Sequence, residues 1–407
     1  MDTENIVYQI KKRGVNIPHP ESVFISNKIN PERISTNHVT IHSGCKIFGK
    51  NTLIMDHVTL GYEAPVTMRN TFVGKGSTLC GGFFDNAVFA GNNTFGSGAH
   101  VRGGTILEEH AKAAHAVGLK QTILFPYVTL GSLINFCDCF MSGGSDETRH
   151  SEVGSSFVHF NYTPNQDKAT ASMFGNVYEG VMLDAPPIFL GGQGGIVGPL
   201  RIAFGCTTAA GSIIRCDEER PDRLLFGGIN RSVSVAKKPF SYTNVRKIFN
   251  RNIAYIAELV ALLNWYAHVR SLFTKDDLKK ALLNGMQDNL TSAIDERCHR
   301  LKAFCFKLKD ARNRHLAKNA NDKSRSVALH DTIIRMYDAA YKQIQSAKET
   351  MDKGKRGNRF VNIVKNRIRK NGNDYITVIK SLSKKEKNTG TQWLLEIKQN
   401  LAENLYI

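Results

Sequence analysis

A six-residue repeat in the N-terminal half restricts the possible folds more than any other feature of the chain. Ile41, Ile47 and Leu53 stand six apart, as do Phe95, Val101 and Leu107, then Val117 and Ile123, and then Ile196, Ile202, Thr208 and Ile214. Gly, Asn, Asp and Ser recur between them, as in HSGCKIFGKNT, GNNTFGSGAHVRGGT and GPLRIAFGCTTAAGS. An α-helix needs an apolar residue every three or four positions, and the strands of a sandwich recur at about 8–12 residues. A solenoid coil fits the shorter step. One aliphatic side chain per strand points inward and stacks on its counterpart in the next coil, while Gly and Asn take corners where φ is positive. The period predicts a parallel β-helix of hexapeptide repeats, interrupted around residues 62–70, 80–90 and 136–190, where it lapses.

A second architecture begins near residue 240. Residues 1–239 carry 21 Lys and Arg against 20 Asp and Glu, and residues 240–407 carry 33 against 16, so nearly all of the net charge of +18 is C-terminal. All 11 prolines lie at or before Pro239, and only 5 of the 34 glycines follow it. From Val245 the apolar positions Ile248, Phe249, Ile253, Ile256, Val260, Leu263, Tyr266, Val269 and Phe273 take three- and four-residue steps, which is an amphipathic helix. More helices are expected at 275–312, 326–352, 358–384 and 391–405. The expected domains are thus a β-helix over 1–239 and a basic α-helical bundle over 240–407. The bundle should pack beside or below the β-helix, where it could cover the open strand edge of the last coil. The run KGKRGNRFVNIVKNRIRK has eight basic residues and no acidic one. With few aromatics and no nucleic-acid motif it reads as a solvated helix face, and nucleic acid is not an expected partner. Attraction of anionic substrates is a further use for such a field.

No run of about eighteen apolar residues occurs, and the N-terminus MDTENIVYQIKKRG has no apolar stretch beside a cleavage site, so a cytoplasmic protein without a membrane span is expected. Eight cysteines without a CxxC argue for reduced, mostly buried thiols rather than a disulfide framework or zinc ribbon. Cys137 and Cys139 flank Asp138 with His150 nearby. Two apart on a strand they should share one face as small core side chains, and no metal is expected in the β-helix. Cys298 and Cys305, seven apart, suit one packed helix face.

The stretch from Phe189 to Arg215, FLGGQGGIVGPLRIAFGCTTAAGSIIR, resembles the last coils of the acetyltransferase domain of the bifunctional glucosamine-1-phosphate acetyltransferase and N-acetylglucosamine-1-phosphate uridyltransferase family. VGLKQTIL at 117–124 is similar to that family's lysine-bearing coil, and VGSSFVHFNYTPNQDKAT at 153–170 to its Asn-Tyr segment; the likeness covers about residues 95–231. It implies a left-handed β-helix, a homotrimer with sites between subunits, a sugar phosphate or UDP-sugar as ligand, and acetyl-CoA as acyl donor. Arg102 and Lys120 would hold the sugar phosphate, since a phosphate needs fixed cationic donors. Asn161 and Tyr162 would contact sugar and donor, with Lys168 nearby. Gly192, Ala209 and Ala210 would line the CoA channel, and Arg231 would meet its phosphates. Structural uses compete with each role: surface cations for Arg102 and Lys120, a turn cap for Asn161, and plain coil residues for the glycine and alanines.

The chain departs from the family where acyl transfer to an amine needs a base. The family's Gly-His-Leu segment reads Gly131-Ser132-Leu133 here, and Asn135 replaces a sugar-contacting tyrosine. His150 and His159 bracket the Asn-Tyr segment and are the first replacements to consider, ahead of His100 and His115 beside the two phosphate candidates. Nothing before residue 40 resembles the family's uridyltransferase loop. The GGQGG run at 191–195 lies between β-coils, whereas a phosphate cradle opens a helix. The leading expectation is an acyltransferase-like enzyme acting on a sugar phosphate or nucleotide sugar. The alternatives are a nucleotide-sugar-binding protein that has lost or changed this chemistry, and a basic trimeric scaffold with a partner-binding helical domain.

Overall fold

A computed structural model describes residues 3–161, 168–228, 242, 244–318 and 324–407. The N-terminal half is a parallel β-solenoid of about 11 turns, and a helical region follows from residue 245. Each coil takes about three hexapeptides: His100 pairs with Gly118, and Gly118 with Asn135. The coil is a three-sided prism. Face A stacks strands such as Lys46–Phe48, Gly82–Asp85 and Ala99–Val101. Face B stacks Leu53–Ile54, Phe72–Val73, Ala87–Phe89 and Thr105–Leu107. Face C is a 10-stranded ladder from Thr40–Ile41 to Leu224–Leu225. The long strands Gly118–Leu124 and Asn135–Met141 bend from face A onto face B, joining both into one 16-stranded sheet.

Inside the prism, Phe84, Phe89 and Phe95 contribute one ring from each face and meet edge to face at 5.6–6.0 Å. Corners turn on left-handed residues, as glycines and asparagines such as Gly76 and Asn92 were expected to do. Ala116, Tyr127 and Leu133 do so as well, with φ of 56°, 69° and 59°. The repeat holds through residues 80–90, where no break occurs: Gly82–Asp85 and Ala87–Phe89 stay in register with the next coil. Within 136–190 the strands Asn135–Met141, Glu152–Val153, Val158–Phe160 and Ser172–Phe174 persist, and the extra residues leave as loops at the corners.

Face B differs from the others in its outward residues. Leu53, Phe72, Val88, Ile106, Ile123 and Phe140 form an outer apolar column, each buried. Leu53 and Ile123 thus stand on the six-residue spacing but turn outward, while Ile54 and Leu124 occupy the inward column with Phe89. The helical region covers this column. After α1 (Thr3–Lys12) and the short α2 (Val177–Gly180), the bundle comprises α3 (Val245–His268), α4 (Asp277–Lys318), α5 (Arg325–Thr350), α6 (Gly354–Asn371), α7 (Tyr375–Lys380) and α8 (Lys384–Ala402). A Cβ on Gly285 of α4 would come within 2.7 Å of the Phe72 ring, and Tyr255 of α3 stacks on Phe140 at 5.5 Å.

The helix expected over 358–384 is two helices, because Gly372 leaves α6 at φ 85° and Asp374 caps α7 through the Thr377 amide. The bundle lies along face B and leaves the last coil open among the described residues, with Leu224 60% exposed. The expected boundary at 239/240 falls outside the described residues. No helix among them is long and apolar enough to cross a membrane.

Candidate active site

The corner between faces C and A follows the same rule in coil after coil. Gly98, Ala116, Leu133, Ser156, Gln193 and Gly211 turn it in the left-handed region. The residue just before each turn projects from the edge, giving a column of Ser97, His115, Ser132, Ser155, Gly192 and Ala210. Backbone bonds set its register: the Ala116 amide donates to the Ser97 carbonyl, Leu133 to His115, Ser156 to Ser132, and Gly211 to Gly192. Across face A the next outward column is His100, Gly118, Asn135, Val158, Gly195 and Ile213. At the far edge, where A meets B, come Arg102, Lys120, Cys137 and Phe160.

Three successive coils therefore present a grid of Ser97, His100 and Arg102, then His115, Gly118 and Lys120, then Ser132, Asn135 and Cys137. Adjacent coils are about 4.8 Å apart. Gly118 leaves a notch in the middle of the grid. Arg102 and Lys120 stand one coil apart, and their side chains have no hydrogen-bond or ion-pair partner among the described residues. Arg69, at the same edge nearer the N-terminus, is by contrast held by Asp85 through two bonds of 2.7 and 2.9 Å. Two adjacent unpaired cations make a local positive field suited to a phosphate.

Opposite them, Ser132 Oγ and His115 Nδ1 share a hydrogen bond of 2.9 Å, and the Ser132 amide donates to Ser155 Oγ at 3.1 Å. His115 is exposed. Cys137 donates to Asn135 Oδ1 at 3.2 Å. Burial, helped by Asp138 and opposed by Arg102 and Lys120, pushes the Cys137 thiol up to about 11, so it is no nucleophile at neutral pH. Cys139 does not share its face: the strand turns at Asp138, φ 56°, leaving Cys137 on face A and Cys139 on face B. No group of three or more metal-binding side chains occurs among the described residues.

The two histidines first considered as bases lie elsewhere. His159 is 2% exposed and fills the inward position between Phe136 and Phe174. Its Nδ1 bonds the Cys137 carbonyl and its Nε2 lies 2.9 Å from Ser172 Oγ. Burial lowers its pKa, and the Cys137 bond and Asp138 only partly offset this. It is a neutral core imidazole with both nitrogens engaged, and its ring has no access to the outer surface of face A. His150 lies before the face C strand Glu152–Val153, on the far side of that face from Ser132, with Nε2 3.9 Å from Glu152.

Asn161 follows Phe160 at the A–B corner and donates to Asp138 Oδ2 at 2.8 Å, while Arg297 of α4 binds Asp138 Oδ1 at 2.5 Å. Lys168 is exposed on the same insertion at φ 56°. Gly192, Ala209 and Ala210 lie at the C–A corner on the C-terminal side of Ser132. They are small residues along the column, and at Gly191 a Cβ would meet the Thr208 carbonyl at 2.4 Å, so a larger residue would not fit there. Tyr162 and Arg231 lie outside the described residues.

No family model matches the chain. It is similar to curated proteins named bifunctional protein GlmU: 25% identical over 232 residues to that of Pseudomonas putida, covering 57% of this chain and 46% of the relative. It is 27% identical over 212 residues to that of Clavibacter sepedonicus, covering 52% and 38%. The match to that of Desulfitobacterium hafniense is 27% over 205 residues, covering 50% and 39%. The chain therefore spans less than half the length of the curated relatives it matches. The likeness and the solenoid agree with the sequence resemblance to the acetyltransferase half of that family.

Proposed function

We propose that the protein is an acyltransferase for an amino-sugar phosphate or nucleotide sugar, with acetyl-CoA as donor. The observation that carries this reading is the pair Arg102 and Lys120, two neighbouring cations whose side chains have no partner among the described residues, on the face bounded by a corner column of small residues. The acceptor's phosphate binds the pair, Asn135 and Asn161 contact the sugar, and Lys168 adds charge beside them. The donor runs along the C–A corner past Ala209, Ala210 and Gly192 toward Ser132, and Tyr162 and Arg231 are assigned to donor contacts by resemblance. The acceptor nitrogen then attacks the thioester carbonyl, the C–N bond forms, and CoA leaves as the C–S bond breaks. The similarity to GlmU supports the same class of chemistry, a left-handed coil and a trimer.

The test is release of free CoA from acetyl-CoA over a panel of amino-sugar phosphates and UDP-sugars. Release with at least one acceptor, abolished by omitting it, supports the proposal. If the protein binds members of the panel by calorimetry and releases no CoA with any, Ser132 marks lost chemistry, and the protein is a nucleotide-sugar-binding relative.

A further inference from the structure

We infer that His115 is the general base of this reaction, held in place by Ser132 of the following coil; this deepens the acyltransferase reading and rests on it. Two imidazoles lie on the grid among the described residues, His100 and His115. The His100 ring stacks on Phe83 at 5.3 Å, toward the N-terminal coils and away from Ser132. His115 is at the C–A corner, in the same column as Ser132, Gly192 and Ala210 past which the donor is proposed to run, and shares its coil with Lys120. A base for acyl transfer must reach the acceptor nitrogen while the acceptor's phosphate is held and the thioester is alongside. His115 is the imidazole lying between those two requirements.

Its hydrogen bonding suits the task. Ser132 Oγ lies 2.9 Å from Nδ1, and Nε2 has no partner among the described residues. When Nδ1–H donates to Ser132, the lone pair is on Nε2, free to accept a proton. Ser132 thereby positions the base and does not itself react. The left-handed turns at Ala116 and Leu133 fix both side chains at the edge. The charged groups around the ring are Lys120 and Arg102 across face A and Glu63, whose carboxylate accepts from the Ser97 amide at 3.3 Å in the same column. Glu63's carboxyl is held below its usual range by Ser97, with His115 a lesser contributor, so a carboxylate is within electrostatic reach when the imidazole becomes cationic. In the step, the amine proton passes to Nε2 as the C–N bond forms. The C–S bond breaks to give CoA thiolate, which takes the proton back from the imidazolium.

The experiment follows CoA release from acetyl-CoA with the best acceptor of the panel, in wild type, His115→Ala and Ser132→Ala, alongside calorimetric binding of that acceptor and thermal melting. His115→Ala should lower kcat by about 100- to 10,000-fold with Kd and melting unchanged. Ser132→Ala should show a smaller loss of kcat at unchanged Kd. If wild type releases CoA and His115→Ala keeps kcat within about threefold, the role of His115 is overturned and the acyltransferase reading stands. Loss of binding and stability together in His115→Ala also overturns it. If wild type releases no CoA from any acceptor, both fall.

Discussion

Lys120 and Arg102 are ammonium and guanidinium groups with no ion-pair partner among the described residues. Replacing either with Ala should therefore weaken acceptor binding by about 1.5–3 kcal/mol, the worth of a charge-assisted hydrogen bond, with no loss of fold; equal calorimetric affinities in wild type and both variants would make them plain surface charges. His159 makes the opposite case. Its pKa is lowered by burial, as are those of His268 and His330. Below the ordinary imidazole value of about 6.5 the unfolded chain binds more protons than the folded one, so the stability these groups confer at neutral pH is lost as pH falls. Denaturant midpoints should fall between about pH 7.5 and 5.5, and His159→Phe should narrow that fall; an unchanged difference would show that His159 contributes nothing to it. The inward position of His159 was legible, since it stands six after Val153 in the same repeat as the aliphatic positions. The meeting of His115 and Ser132 was not, because it depends on the length of the intervening coil rather than on any motif.

At the scale of elements, the unread signal lay in apolar doublets. Leu53-Ile54, Phe72-Val73, Val88-Phe89, Ile106-Leu107, Ile123-Leu124 and Phe140-Met141 are buried on both sides, whereas face C alternates an outward Thr with an inward aliphatic residue. A doublet in one strand of each successive coil from Leu53 to Phe140 identifies the face that the helices cover. The polar residues on α3 then have partners across that seam. Glu258 accepts from the Val177 amide at 2.8 Å, Asn252 donates to the Ala169 carbonyl at 3.0 Å, and Tyr266 donates to Glu108 at 2.5 Å. Burial pushes Glu108 up to about 7, against the pull of Arg270. A raised carboxyl pKa stabilises the fold below the ordinary value of 4.5, and that contribution is lost as pH rises through about 7. Between about pH 4.5 and 7 this opposes the histidines, so Glu108→Gln should make thermal stability rise more steeply with pH over that range than in wild type; an unchanged pH dependence would show that Glu108 contributes nothing to it. Arg297 of α4 reaches Asp138, both under 9% exposed, and Asp138 in turn holds Asn161. Arg297→Met leaves Asp138 buried without its cation and should destabilise by about 3–5 kcal/mol in denaturant melts. A loss below about 1 kcal/mol would mean that water already compensates the pair.

For the whole molecule, the helices occupy face B and leave faces A and C to form any contact between copies. Face C is flat and largely uncharged on its outside: Thr40, Thr59, Thr78 and Thr94 stack in successive coils, and Thr129 and Thr207 continue the column beyond Lys112. Exposed apolar side chains on these two faces and their shared corner include Tyr62 72%, Leu133 58%, Phe160 39%, Phe189 39% and Ile213 38%, while Phe306 and Tyr341 are exposed on the helices. The proposed site is open on the side where a neighbouring copy would stand. We therefore expect a homotrimer with the helical bundles outermost and a site completed by the adjoining subunit. The bundle's surplus of cations then faces solvent, where it attracts anionic substrates without having to be buried. Phe189 points outward in the face C ladder between Glu152 and Thr207. Phe189→Glu would set a carboxylate against each neighbour's surface, which costs several kcal/mol when it is buried unpaired. Light scattering should give a trimer for wild type at micromolar concentration and smaller species for Phe189→Glu, with unchanged helix content by circular dichroism and CoA release lost together with assembly. A stable wild-type monomer that still releases CoA would place the complete site within one chain, and the exposed apolar residues of faces A and C would then need another partner.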